Sequence, residues 1–202
     1  MRVSRAKAEE NRRAVIDAAG RLFRERGFDG IGLNDLMGAA GLTQGGFYKQ
    51  FESKADLIAQ ACQRALAEGA DKWARTVDGP GEDPFAELVG RYLTYNHRDH
   101  VGEGCAFAAL APDAARQGGP VARSFEAGLR AQLEQLDRAM KASPSHGTHD
   151  DPVVVFSTMV GALLLSRVVE DEEFARHILR AAARSLLNPE DAPDQEDGGS
   201  KE

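Results

Sequence analysis

Aromatic side chains are scarce in this chain: nine Phe, three Tyr and one Trp make up 6 % of 202 residues. Set against abundant alanine, that scarcity leans the chain toward helix. Cysteine is nearly absent as well. Cys62 and Cys105 stand far apart, which excludes a disulfide framework. No long hydrophobic run exists either. The longest, Val153 to Leu165, is broken by Ser157 and Thr158 and stopped by Arg167, too short and too polar to cross a bilayer. No apolar segment follows the charged start "MRVSRAKAEENRR", so no signal peptide and no membrane partner is expected, and the expected location is the cytoplasm. What is present is ordinary for a globular protein, 42 % hydrophobic and 28 % charged, enough for one sizeable core or a small domain joined to a larger one.

The net charge of −7 conceals an asymmetry. Residues 1–60 carry ten Lys/Arg against eight Asp/Glu, and residues 61–202 carry fifteen against twenty-four. At the very start Arg2, Arg5, Lys7, Arg12 and Arg13 face only Glu9 and Glu10. A basic end on an acidic body suits a molecule that offers one surface to phosphates; a solvated charged helix is the plainer alternative.

Helical spacing organises that basic end. Val15, Ile16, Ala19, Leu22 and Phe23 recur at helical intervals from Asn11 to Arg26, and Gly27 supplies a stop. Leu33, Leu36, Met37 and Ala40 make one face of a second, short helix ended by Gly41. Gly32 stands at its N-cap with Asp35 three residues on, so the hydroxyl half of a capping box is missing. Thr43 is a suitable N-cap for a third short helix to about Gln50, and Ser53 for a long fourth helix from Lys54 to about Ala74. Two short helices joined by a glycine-containing turn, between two longer ones, describe a helix-turn-helix. Gly45 and Gly46 then fall in the first turn of the reading helix, among Gln44, Tyr48 and Lys49. Two glycines there cost about 1 kcal/mol each relative to alanine. They let the backbone approach base edges, or else they permit close helix packing.

The stretches "AAGRLFRERGFDG", "DLMGAAGLTQGGFYKQF" and "SKADL" together resemble the N-terminal DNA-binding domain of the TetR/AcrR family of transcriptional regulators, over Asn11 to Leu57. The resemblance implies that Thr43 and Tyr48 hydrogen-bond phosphates, that Lys54 contacts the backbone, and that Gln44, Gly45, Gly46 and Lys49 face the major groove. Phe47 and Phe51 are expected inside, over Leu57. One departure stands out: the family usually has Ser or Thr where this chain has Gly32, which cannot supply a hydroxyl to phosphate.

Beyond Gln60 the chain reads as helices throughout. They are Phe85 to about Arg98; a helix opened by "CAFAALAPDAARQ", bent or restarted at Pro112; Val121 to Lys141; Pro152 to about Val169, capped by Asp151 and apolar nearly all round; and Asp171 to Leu187. Residues 188–202 are acidic and proline-bearing, and are expected to be a disordered tail. The expected fold is therefore all-α, with a helix-turn-helix domain at 1–53 and a helical regulatory and dimerisation domain at 54–187. Resemblance implies a homodimer through helices 152–169 and 171–187, a palindromic double-stranded DNA operator, and a repressor released by a small-molecule inducer. Two-fold symmetry supplies an independent reason, since one small reading helix discriminates poorly alone.

Candidate inducer contacts are Trp73, Tyr92, Tyr95, Phe107, Phe125, Leu129 and Phe156, each of which could equally be plain core. Cys105 joins them, because a thiol opening a helix can react with oxidants or electrophiles. That gives a second reading, a repressor switched at Cys105. His97 and His100 precede it, so a thiol enzyme and a metal site are further readings, but neither an oxyanion motif nor a fourth ligand is visible. His146 and His149 add little. No catalytic residue, metal or cofactor is expected.

Overall fold

The computed structural model describes residues 5–144 and 151–187, and among them the regular structure is helical, without a strand. The tail at 188–202 and the loop histidines His146 and His149 lie outside the described residues. The described chain falls into two compact units. One holds residues up to Lys72 together with His100–Gln132; the other holds Trp73–Asp99 and the residues from Leu133 on.

In the first unit, α1 (Arg5–Arg26) is longer at its start than the apolar pattern alone implies. Its buried stripe is Val15, Ala19, Leu22 and Phe23. Gly27 ends it at φ +73°, its N–H donating to Phe23 O at 2.7 Å, the left-handed stop that glycine adopts most easily. Phe28 folds back edge-on to Phe23, with ring centroids 5.6 Å apart. Then α2 (Leu33–Ala39) buries Leu36 and Met37 against α1, and Gly41, at φ +70°, turns the chain. The third segment is a 3-10 turn, Gln44–Lys49, where a short helix was expected. Two glycines weaken α-helix, and six residues are too few to offset its nucleation cost. Ser53 does cap α3 (Lys54–Val77), accepting from Asp56 N at 3.1 Å. A short turn, Val101–Glu103, lies on α1, where Arg24 Nε donates to Gly102 O at 2.7 Å.

Two glycines and a proline shape the second half of this unit. Pro112 lies inside an uninterrupted α6 (Ala106–Gln117), which neither ends nor restarts there. Gly118 and Gly119, both at positive φ, turn the chain into α7 (Gly119–Ala142). Gly128 of α7 meets α3 closely: a Cβ there would lie 2.8 Å from Leu66 Cβ.

In the second unit, Asp83 caps α4 (Pro84–Tyr92), accepting from Ala86 N. The expected continuation to Arg98 fails. His97 Nδ1 sits 2.7 Å from Tyr92 O, which occupies the carbonyl a longer helix would use, and Thr94 Oγ1 accepts from His97 N to open α5 (Tyr95–Asp99). Two arginines then exchange hydrogen bonds. Arg98 Nε donates to Ser166 O at 2.8 Å, and Arg167 donates to His97 O and Arg98 O at 2.8 and 2.9 Å. These contacts fasten α5 to the end of α8 (Pro152–Val168), which packs extensively on α9 (Glu172–Leu186). Asp151 and Asp171 cap the two helices, accepting from Val153 N and Phe174 N. Burial on several sides of α8 was expected. The helix does bury Val155, Phe156, Met159 and Leu163, but Val153, Val154, Leu164, Leu165 and Val168 face outward, with Phe174 of α9 also exposed.

Two outcomes follow from this packing. Gly128→Ala should destabilise the protein by about 1–3 kcal/mol in urea unfolding; an unchanged midpoint would contradict the close contact with Leu66. Burial pushes the Cys62 thiol up from its ordinary value of 9.0 to about 12, with Arg24 pulling the other way. The folded chain thus keeps this proton where the unfolded chain loses it. The associated stability is complete below about pH 9 and is lost as pH rises toward about 12. Iodoacetamide at pH 8 should leave Cys62 unlabelled in native protein and label it in urea, as read by peptide mass spectrometry. Rapid native labelling would contradict this burial.

Candidate nucleic-acid interface

The 3-10 turn has two faces of opposite character. Phe47 is fully buried and Phe51 nearly so, with rings 5.4 Å apart, and Leu57 is buried as well, so the three expected core residues are in the core. On the other face Tyr48 is 73 % exposed, its ring edge-on to Phe47. Thr43, Gln44, Gly45 and Lys49 are also exposed, Gly46 and Lys54 partly so. Thr43 stands at the N-cap position with extended backbone, yet its side chain makes no cap hydrogen bond, leaving the hydroxyl to point elsewhere. Among the described residues Lys49 and Lys54 enter no ion pair. The outer surface therefore gathers hydroxyls, an amide and two ammonium groups around bare backbone.

Neither glycine of the pair is required by the protein's own structure. Both have ordinary negative φ. A Cβ at Gly45 would meet nothing within 4 Å, and one at Gly46 would lie 3.7 Å from Met37 Cε, an ordinary contact. Close packing within the chain thus does not explain them.

Side chains that sequence reasoning did not single out hold the turn in place. Arg12 turns inward: its guanidinium donates to Gln50 O, donates to Gln60 Oε1 at 2.6 Å and lies 4.7 Å from the Phe51 ring centroid. Gln60 donates to Asp56 Oδ1 at 2.7 Å, while Asp56 Oδ2 accepts from Glu52 N at 3.1 Å. The turn, its exit and the start of α3 are joined through one carboxylate and one guanidinium. Nothing in the one-dimensional pattern marks Arg12, which reads there as one more charge of a basic end. That end is less open than its composition suggests, since Lys7 pairs with Glu10 and Arg13 with Glu9.

The candidate inducer contacts separate into groups. Phe107 and Phe125 stack edge to face at 5.5 Å in the first unit, with Leu129 at 37 % exposure on the same helix as Phe125. Trp73, Tyr92 and Phe156 cluster in the second, with centroids 5.6 to 6.5 Å apart. Tyr95 is engaged elsewhere: its hydroxyl donates to Glu172 O at 2.6 Å, and the guanidinium groups of Arg98 and Arg176 lie against its ring. Cys105 is partly exposed at the N-cap of α6 without a side-chain cap bond. Among the described residues no three His, Cys, Asp or Glu gather as metal ligands, and no helix is long and apolar enough to cross a membrane.

Residues 15–61 match the model of bacterial regulatory proteins of the tetR family. Over 86 residues the chain is 38 % identical to the HTH-type transcriptional regulator TtgR of Pseudomonas putida, a match covering 42 % of this chain and 40 % of TtgR. The chain thus spans well under half the length of that relative. Two solved structures share the fold over most of their length. E. coli NemR in its reduced form aligns with a TM-score of 0.72 at 20 % identity, over 92 % of this chain and 99 % of NemR. AibR, solved with isovaleryl coenzyme A and operator DNA, aligns at 0.59 and 16 %, over 88 % and 98 %. The fold is all-α, a helix-turn-helix followed by a larger helical domain, and the N-terminal domain, over residues 15–61, belongs to the tetR family of bacterial regulatory proteins.

Proposed function

We propose that this chain is a dimeric, sequence-specific DNA-binding regulator that represses transcription until a small molecule releases it. The observation that carries the reading is the Gly45–Gly46 pair, bare on the outer face and required by no contact inside the chain. A missing side chain that serves nothing inside serves an approach from outside. Gln44 and Lys49 flank the pair as base-reading donors, while Thr43, Tyr48 and Lys54 fit phosphate oxygens, which set register without carrying sequence. In this reading residues 1–53 contact DNA and residues 54–187 sense and dimerise. Compactness groups the chain differently, taking α3 as far as Lys72 with the N-terminal helices.

The dimer surface in this proposal is the outward flank of α8 and α9, where Val153, Val154, Leu164, Leu165, Val168 and Phe174 expose apolar area. Such a stripe on two adjacent helices suits a four-helix contact with its own copy. The inducer would bind within the helical domain and act only as far as it prefers the released state. AibR, with an acyl coenzyme A and operator DNA, supports a fold that can hold both ligand and DNA. The cytoplasm is the matching location.

A second reading rests on Cys105, which is partly exposed at the N-cap of α6, three residues beyond Gly102, whose carbonyl Arg24 holds. Alkylation there would press on the contact between α1 and the 101–103 turn.

Lys49→Ala should weaken binding with a changed base preference. Lys54→Ala should weaken it on every sequence and lower the slope of log K against log salt by about one unit. Equal losses for Lys49→Ala on specific and random duplexes would remove it from base reading. Leu165→Glu with Val168→Glu should yield a monomer by light scattering; a dimer unchanged at micromolar concentration would move the interface elsewhere. N-ethylmaleimide should release wild type and spare Cys105→Ser if the thiol is the switch. Persistence of DNA binding in both would return Cys105 to a packing role.

A further inference from the structure

Gln50 closes the 3-10 turn, and its backbone is fixed from both sides. Its N–H donates to Phe47 O at 2.9 Å, and its carbonyl accepts from Arg12. The side chain that rises from this fixed point has its Oε1 fully covered, and among the described residues no donor reaches that oxygen. A covered acceptor without a donor is costly, and a hydrocarbon of the same shape would cost less. The residue as a whole stays partly open. The carboxamide therefore stands oxygen-inward, with its two N–H donors at the open end. The reverse orientation would cover two donors in place of one acceptor.

Stability of the turn does not call for an amide at this position. Phe47 and Phe51 supply the burial, and Arg12 takes the carbonyl of Gln50, not its side chain. Position says what the donors can meet. Gln50 follows the exposed Tyr48 and Lys49 and precedes the partly exposed Lys54. At a rise of about 2.0 Å per residue it lies about 8–10 Å further along the turn than the Gly45–Gly46 pair. In a docked helix-turn-helix the leading residues meet base edges. A major groove about 12 Å wide then brings the trailing end to a wall of phosphates. Phosphate oxygens are acceptors only, and they take charged or neutral N–H donors alike without reporting sequence.

We propose that Gln50 is a further DNA contact, donating through Nε2 to a phosphate oxygen at the rim of the half-site, and that its covered, unpaired Oε1 is the cost of holding those donors outward. The inference rests on the reading of the Gln44–Lys49 turn as a DNA surface and adds a neutral contact to it. Unlike Lys54, a carboxamide displaces no counterion, so it adds affinity without adding salt dependence. Because its backbone is already fixed, little ordering remains to be done on docking.

The test follows fluorescence anisotropy of full-length protein on two duplexes, one selected by wild type from a randomised library and a scrambled copy of it, over a range of KCl concentrations. Gln50→Leu should weaken binding about tenfold, by the same factor on both duplexes, with the slope of log K against log salt unchanged. The same variant should melt no lower than wild type, because a hydrocarbon has replaced an unpaired acceptor. Gln50→Met serves as a second variant should leucine disturb the turn. Binding equal in wild type and both variants would overturn the assignment. So would a loss confined to the selected duplex, which would make Gln50 a base reader. Weaker binding together with a lower melting temperature in both variants would make it a structural residue and overturn the assignment as well. Firm binding by wild type beside unaffected variants sinks this inference alone, whereas failure of wild type to select or bind any duplex sinks the DNA reading on which it stands.

Discussion

A six-residue 3-10 turn holding two glycines cannot stand by itself in water, and the candidate DNA surface depends on what grips it from behind. Phe47 and Phe51 are the grip. Their burial beside Leu57 contributes on the order of 2–3 kcal/mol per ring relative to exposure, far more than the few hydrogen bonds of so short an element. Arg12 completes the hold through the carbonyl of Gln50, just past the turn, and the face of Phe51. With one side thus committed to the core, the other side needs no residue for its own stability. It is free to carry glycine, tyrosine and lysine chosen for something outside the chain.

Arginine recurs in this role elsewhere. Short helical pieces leave most of their terminal carbonyls without a partner, and this fold has several. Gln50 O receives Arg12, Gly102 O receives Arg24, Ser166 O receives Arg98, and His97 O with Arg98 O receives Arg167. In each case the guanidinium comes from a segment distant in sequence, and its fixed fork of donors suits carbonyls at a helix end. These contacts satisfy orphan acceptors and pin a short element to a long helix at once. They also explain why an acidic chain keeps so many arginines out of phosphate-facing positions.

Much of the fold was legible in one dimension because helices advertise their buried stripe and their ends. The stripe of α1, the cap at Ser53, the aspartate at 151, and the inward pair Phe47 and Phe51 follow from spacing and local chemistry. Features that rest on distant partners were not legible. The break after Tyr92 depends on the His97 ring claiming a carbonyl, and apolar spacing alone runs straight through it. The inward turn of Arg12 requires Gln50 and Gln60 to be in place, 38 and 48 residues away. The outward flank of α8 was hidden for a different reason: a helix apolar all round looks the same whether the covering surface belongs to its own chain or to another. An aromatic residue reads alike in a core and in a pocket, so the candidate ligand contacts could not be separated from core in one dimension.

The most direct test of the central claim, that the outer face of the Gln44–Lys49 turn reads base sequence, is selection of binding sites from a randomised duplex library by the wild-type protein and by a Gln44→Ala, Lys49→Ala double variant. Enrichment of one inverted-repeat motif by wild type, with information lost at a few symmetric positions in the variant, is the predicted result. No enriched motif with wild type, or the same motif enriched equally by both proteins, would contradict it.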